Sequence, residues 1–253
     1  MTLLATEIHN HDDPASALIV FAADRRISLG RRYFDNRKKI FTLPWLNAGI
    51  GYFGLAVVGN QSMQEWLQAF LAGATDCQTM AELAGRLADS LNRVIPPARH
   101  HVDRSGFHIA GYNRAGQPEF WYVRNVDDNG ELTLGRYEVR EDFQRRDAGT
   151  LRPNQAGTYR NGDLRAHEAA WRNIDDSFGL LLNTPGFRQR RTATDYVDWV
   201  KFKMELICYF YKIYYQGSII ARPVDAFGIK APSAGNRRAR FIQPPANQSQ
   251  SKR

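Results

Sequence analysis

The sequence predicts an α+β protein, a four-layer α-β-β-α sandwich in which two antiparallel sheets are flanked by helix pairs. Three observations carry that expectation. The apolar pattern switches twice along the chain, from short alternating or continuous runs to i, i+3, i+4 spacing and back. Clusters of Asn, Asp, Gly and Pro separate the short runs as turns. With 253 residues, 43% hydrophobic and 12% aromatic, the chain can bury a sizeable core.

Leu3 to Ile8 reads as a first strand, "NHDDPAS" (10–16) as a turn, and "ALIVFAAD" (17–24) as a second strand. After the basic stretch "DRRISLGRRYFDNRKK", the segments "KIFTL" and "LNAGIGYFG" flank Pro44-Trp45 as a hairpin, making four strands. The period then becomes helical. Met63, Trp66, Leu67, Phe70 and Leu71 mark one helix, and Met80, Leu83, Ala84, Leu87, Ala88, Leu91, Val94 and Ile95 a longer one. Thr79 with Glu82 forms an expected capping box, and Pro96-Pro97 ends the second helix. "GFHIAGY", "EFWYVRN" and "ELTLGRYEV", joined by "NRAGQP" and "DDNG", predict a three-stranded meander. Residues 140–163 are polar with little periodicity and read as a loop or insertion. Helical spacing resumes over 164–174 and over 195–215, and a final strand is expected over 218–229.

This gives four strands, two helices, three strands, two helices and one strand. No Pro/Gly/Ser linker divides it. Residues 2–231 are expected to form a single domain and 232–253 a disordered basic tail. Each helix pair must lay its apolar stripe on a sheet face, and the two sheets need inner faces for one another, which yields the four layers.

The net charge is +8 and the isoelectric point near 9.6, which suits an anionic partner. Five of those excess cations lie between Arg237 and Arg253, so the body is only mildly basic. Cys77 and Cys208 are far apart, which excludes a CxxC site and a dense disulfide framework and fits a reducing cytoplasm. No basic-then-apolar leader and no run of eighteen apolar residues appears, so neither export nor membrane insertion is expected. His9, His11, Asp12 and Asp13 imitate a metal cluster, yet they sit in a hairpin turn without distant ligands, and no metal or cofactor is expected. His100 and His101 follow Pro-Pro in a connector, where adjacent extended side chains point opposite ways. The aromatic run "CYFYKIYY" (208–215) covers every side of a helix and implies burial at a sheet or subunit interface.

The element order and four local motifs resemble the proteasome β-subunit superfamily, particularly its bacterial HslV-type peptidases and the ancestral β-subunit group called Anbu. "VFAADRR" (20–26) is similar to the strand that ends in that family's aspartate, and "NRKKIF" (36–41) to the segment with its catalytic lysine. "AGIGYFGLA" (48–56) is similar to the Gly-rich strand of the oxyanion site, and "ARPVDAFGI" (221–229) to a strand near the end of such chains. Lys39 follows Asp24 by 15 positions and precedes Gly51 by 12, both close to the family's spacing. Thr2 precedes Asp24 by 22, more than the family norm, and the surplus falls in "NHDDPAS", where a longer turn costs little entropy.

The resemblance implies an N-terminal-nucleophile hydrolase. A threonine hydroxyl needs a neighbouring base to attack a carbonyl. Removal of Met1 would give Thr2 a free α-amine, whose ordinary pKa of ~7.7–8.0 suits that task. The family's roles then fall on Thr2 as nucleophile and base, Lys39 as a cation beside it, Asp24 as the partner orienting Lys39, and Gly51 as oxyanion donor. Ser218 in "YYQGSIIA" answers to the family's supporting serine, while Tyr215 stands where an aspartate is usual and Asp163 is another candidate for that acid. Implied partners are a peptide or amide substrate, further copies of the chain in a ring or spiral, and an ATP-dependent unfoldase. Thr6 is a rival nucleophile if five residues were trimmed, disfavoured because "TEIHNH" is polar for a strand. The alternatives are a non-catalytic scaffolding subunit of the same fold, another amidase of the same class, and a nucleic-acid-binding protein using Arg25, Arg26, Arg31, Arg32, Arg37 and Lys38.

Overall fold

The computed structural model describes residues 3–10, 17–29, 32–100, 103–126, 133–141, 155–162, 171, 173–174, 176–177, 192–214, 219–232 and 238–244. Thr2, Asp163, Tyr215 and Ser218 lie outside them, as do His11, Asp12, Asp13 and His101.

Among the described residues, two five-stranded antiparallel sheets and four α-helices form the α+β fold. The first sheet contains β1 (Leu3–Asn10), β2 (Leu18–Asp24), β12 (Gln155–Gly162), β13 (Val224–Lys230) and β14 (Arg240–Ile242), in the order β12-β1-β2-β13-β14. The second contains β5 (Ile40–Leu43), β6 (Ala48–Phe53), β9 (Gly106–Tyr112), β10 (Pro118–Val126) and β11 (Thr133–Glu141), in the order β11-β10-β9-β6-β5. Two small hairpins stand apart: β3 (Ile27–Leu29) with β4 (Arg32–Phe34), and β7 (Val57–Val58) with β8 (Gln61–Ser62). The helices are α1 (Met63–Ala72), α2 (Met80–Val94), the short α3 (Pro97–His100) and α4 (Ala193–Tyr214).

The core falls into three apolar clusters. Met63, Leu67, Leu83, Leu87 and Leu91 of α1 and α2 meet Ile50, Tyr52, Phe107 and Val123 on one face of the second sheet. Leu4, Ile8, Ile19, Phe21 and Phe227 of the first sheet meet Ala110, Phe120 and Tyr122 of the second. Leu3, Ala5, Val20 and Ala22 on the other face of the first sheet meet Val197, Val200, Met204 and Ile207 of α4 together with Trp171. The period-2 alternation of β1 therefore sends Leu4 and Ile8 to the partner sheet and Leu3 and Ala5 to α4.

Several expectations shift in detail. The stretch 140–163 is not wholly a loop, because Gln155–Gly162 pairs antiparallel with all of β1. Within the expected tail, Arg240–Ile242 pairs with Gly228–Lys230. Both are edge strands, whose outer side needs no partner and so tolerates polar sequence. The last long strand starts at Val224, later than expected. Thr79 accepts from the Glu82 amide at 3.1 Å, but Glu82 takes the Gln78 amide at 2.7 Å instead of closing a box on Thr79. The reciprocal box is at Ser62 and Glu65, where α1 begins. Pro97–His100 is a helical turn, and His100 is buried, its Nε2 donating to the Ile95 carbonyl at 3.0 Å. The helix expected over 164–174 lies almost entirely outside the described residues.

Candidate active site

β2 ends at Asp24, and a buried carboxylate in that position has to be matched by donors. Asp24 is fully buried, and three donors reach it. Lys39 Nζ donates to Oδ1 at 2.9 Å, the Leu3 backbone N–H to the same oxygen at 2.8 Å, and the Arg26 backbone N–H to Oδ2 at 3.2 Å. Lys39 is also fully buried and donates to the Arg26 carbonyl as well. Burial holds its ammonium below the usual lysine range, opposed by the charge and hydrogen bond of Asp24. Asp24 and Lys39, expected to act together, are thus in direct contact.

Lys39 is fixed by the strands around it. Its carbonyl accepts the Tyr52 N–H at 3.1 Å, extending the β5–β6 ladder by one residue beyond Ile40↔Gly51. On the Arg26 side, the guanidinium forms a bidentate pair with Asp35, both contacts 2.6 Å, and lies 5.1 Å from the centre of the Tyr33 ring. Arg26 and the Leu3 amide are site residues that residue-type reasoning missed, since each contributes a backbone group that any residue carries.

Gly51 lies inside the ladder, opposite Ile40 on one side and His108 on the other. Antiparallel strands alternate the direction of their amides. Because the Tyr52 N–H points to β5, the Gly51 N–H points to β9 and the His108 carbonyl. The oxyanion role expected of Gly51 therefore competes with a strand hydrogen bond. What the site demands of Gly51 is the missing side chain, since a Cβ there would lie 2.6 Å from Leu4 Cδ1 and 3.1 Å from Ile40 Cγ2. Gly54, the first residue after β6, is exposed with φ +86, and a Cβ would fall 2.0 Å from the Arg104 carbonyl oxygen.

Thr6 is fully buried in the middle of β1, paired with Phe21 and Tyr159. His108 Nε2 donates to Asn161 Oδ1, leaving Nδ1 to accept the Thr6 hydroxyl at 3.0 Å. The polarity of "TEIHNH" does not prevent a strand, for Glu7 and His9 are satisfied on the α4 side: Lys203 Nζ lies 2.6 Å from Glu7 Oε1, and His9 Nε2 is 3.0 Å from Glu7 Oε2. Burial pushes the Glu7 carboxyl up, but Lys203 and His9 outweigh it and hold it at about 2.

Three of the six cations of the basic patch are matched by acids, Arg25 with Asp225, Arg26 with Asp35, and Arg37 with Glu65 at 3.8 Å, while Lys38 is exposed and Arg31 lies outside the described residues. Among the described residues no group of three or more His, Cys, Asp or Glu could hold a metal ion, and no helix is long and apolar enough to cross a membrane.

No protein-family profile and no curated protein matches the sequence. Solved structures do. Anbu (ancestral beta-subunit) from Yersinia bercovieri aligns over 96% of this chain and 88% of its own, with a TM-score of 0.51 and 12% identity. The chain is proteasome-like in fold. An Anbu (Gly-1) mutant from Hyphomicrobium sp. strain MC1 aligns over 96% and 89%, with a TM-score of 0.49 and 12% identity. In this proteasome-like fold, the buried Asp24–Lys39 pair stands beside the residue that follows Thr2.

Proposed function

We propose that the chain is a threonine-type N-terminal-nucleophile hydrolase that cleaves peptide or related amide bonds once Met1 is removed, on a four-layer α-β-β-α sandwich. One observation carries the reading: a single oxygen of Asp24 accepts both Lys39 Nζ and the N–H of Leu3, the nitrogen covalently joined to Thr2. The start of the chain and the buried cation are thereby tied to one carboxylate.

Thr2 Oγ attacks the substrate carbonyl while its proton passes to the Thr2 α-amine. Lys39 lowers the proton affinity of the hydroxyl and disfavours a charged amine, and Asp24 holds Lys39 in place. Collapse of the tetrahedral adduct returns the proton to the leaving amine, and water then releases the acyl group from Oγ. The Gly51 N–H serves as oxyanion donor where it leaves its strand bond to β9, and such a donor is worth about 2.7–4 kcal/mol to the transition state. Ser218 supports the nucleophile from the later half of the chain. Self-assembly, an ATP-dependent unfoldase and a cytoplasmic setting complete the reading.

The test is intact mass before and after an epoxyketone that captures a 1,2-amino alcohol. The expected result is loss of Met1, one adduct on Thr2, and a Thr2→Ala protein that folds but neither hydrolyses peptides nor forms the adduct. Hydrolysis by Thr2→Ala, or by protein that retains Met1, overturns the reading.

A further inference from the structure

Arg26 gives both of its main-chain groups to the buried ions: its N–H donates to Asp24 Oδ2 at 3.2 Å, and its carbonyl accepts from Lys39 Nζ. It lies between β2 and β3 and belongs to neither strand, so its placement depends on where its side chain is anchored. That anchor is Asp35. Continuing the Ile27↔Phe34 register by one residue sets Arg26 opposite Asp35, across the open end of the β3–β4 hairpin. Arg26 Nε and Nη2 donate to Oδ1 and Oδ2 of Asp35, each at 2.6 Å, a planar fork that fixes the direction of the guanidinium as well as its distance. The Tyr33 ring closes one side, its centre 5.1 Å from the guanidinium carbon. Asp35 and Tyr33 are 43% and 44% exposed, yet the Arg26 side chain between them keeps only 15%.

The titratable groups that bear on Lys39 are Asp24 on β2, Cys208 on α4 and Asp35 after β4. Burial lowers the ammonium most; Asp24 opposes it strongly, and the charge of Asp35 adds in the same direction as Asp24. Burial pushes the Cys208 thiol up, so it stays uncharged at neutral pH. The hydrogen bonds from Arg26, with a smaller contribution from the Lys39 charge, hold Asp35 below the usual carboxylate range. An exposed ion pair contributes little to stability, so what the Arg26–Asp35 fork supplies is geometry. We propose that Asp35 is a positioning residue of the candidate site: acting through the Arg26 guanidinium, it holds the Arg26 carbonyl on the Lys39 ammonium and the Arg26 amide on the Asp24 carboxylate. Its effect on Lys39 stands by itself, whereas its effect on rate rests on the hydrolase reading given above.

The test is Asp35→Asn in the full chain with labelled lysines, where heteronuclear NMR follows the titration of the Lys39 ammonium, assigned by its loss in Lys39→Arg. Removing the carboxylate charge and loosening the carbonyl act in one direction, so Lys39 gives up its proton at lower pH than in the parent. Arg26→Lys, which keeps the charge and loses the fork, moves the titration the same way, and Asp35→Glu restores most of it. On a peptide substrate, kcat and kcat/KM of Asp35→Asn fall together, by about ten- to a hundredfold, and the alkaline limb of kcat moves to lower pH. Asp76→Asn is the matched control, since it breaks an equally bidentate pair with Arg86 that touches neither Asp24, Lys39 nor Arg26, and it should leave both readouts at the parent's values. A Lys39 titration that does not move in Asp35→Asn or Arg26→Lys, a loss of rate that Asp76→Asn reproduces, or a loss equal to the unfolded fraction seen by circular dichroism would each overturn the inference. A parent chain that neither hydrolyses peptides nor forms the Thr2 adduct overturns the hydrolase reading instead, and the Lys39 titration still decides the role of Asp35.

Discussion

Asp24 and Lys39 meet in the interior of the protein with no solvent exposure, the ammonium donating to Asp24 Oδ1 at 2.9 Å. Deleting one member of a buried pair leaves the other uncompensated, at a cost of about 3–5 kcal/mol. Lys39→Met and Asp24→Asn should each lower the denaturant midpoint strongly, and the double variant should lose much less than the two losses added together. Additive losses in urea titrations would show that the two charges are stabilised separately.

Thr6 and His108 make a second test, because a hydroxyl beside an imidazole resembles an activated nucleophile. Both are fully buried between the sheets. Thr6→Val should destabilise by about 1–3 kcal/mol, the cost of leaving His108 Nδ1 without its donor. Peptide hydrolysis per folded molecule should be unchanged. Loss of activity in folded Thr6→Val would move the nucleophile from Thr2 to Thr6.

Glu7 sets an acid limb. Its carboxyl is held at about 2 in the folded chain against an ordinary 4.5. A lowered carboxyl contributes stability that is fully present above about 4.5 and is lost as pH falls toward 2. Thermal melts should therefore drop through that window. Glu7→Gln should be less stable at neutral pH, with Lys203 left buried, and should show a shallower fall on acidification. An unchanged acid limb would mean other carboxylates govern it.

Two glycines on the second sheet should differ in tolerance. A Cβ at Gly51 meets the end of the flexible Leu4 side chain, whereas one at Gly111 meets the Asn47 carbonyl oxygen at 2.5 Å and Ala48 Cα at 2.6 Å. Gly51→Ala should cost about 1–3 kcal/mol by overpacking. Gly111→Ala should cost more, since backbone has to move. Equal melting temperatures for the two would contradict this.

The order of strands and helices was legible because the core strands and α2 carry unbroken apolar patterns, from "LIVFAAD" to "MAELAGRLADSL". The missed strands β12 and β14 are the two edges of one sheet among the described residues, and an edge strand tolerates polar sequence. The Asp24–Lys39 contact was legible through motif spacing. The Glu7–Lys203 pair was not, since its members are 196 positions apart and only the packing of α4 on β1 joins them. The direction of the Gly51 amide depends on strand alternation, which residue type does not encode.

The Leu3–Asp24 hydrogen bond also limits what can occupy the third position. The carboxylate grips a peptide amide, so nineteen of the genetically encoded residues supply the required donor and proline alone cannot. Leu3→Pro should release the leading end of the polypeptide while a swap to isoleucine or methionine leaves it tethered. Anchorage of this kind is written in main-chain chemistry and survives drift of the side chains around it.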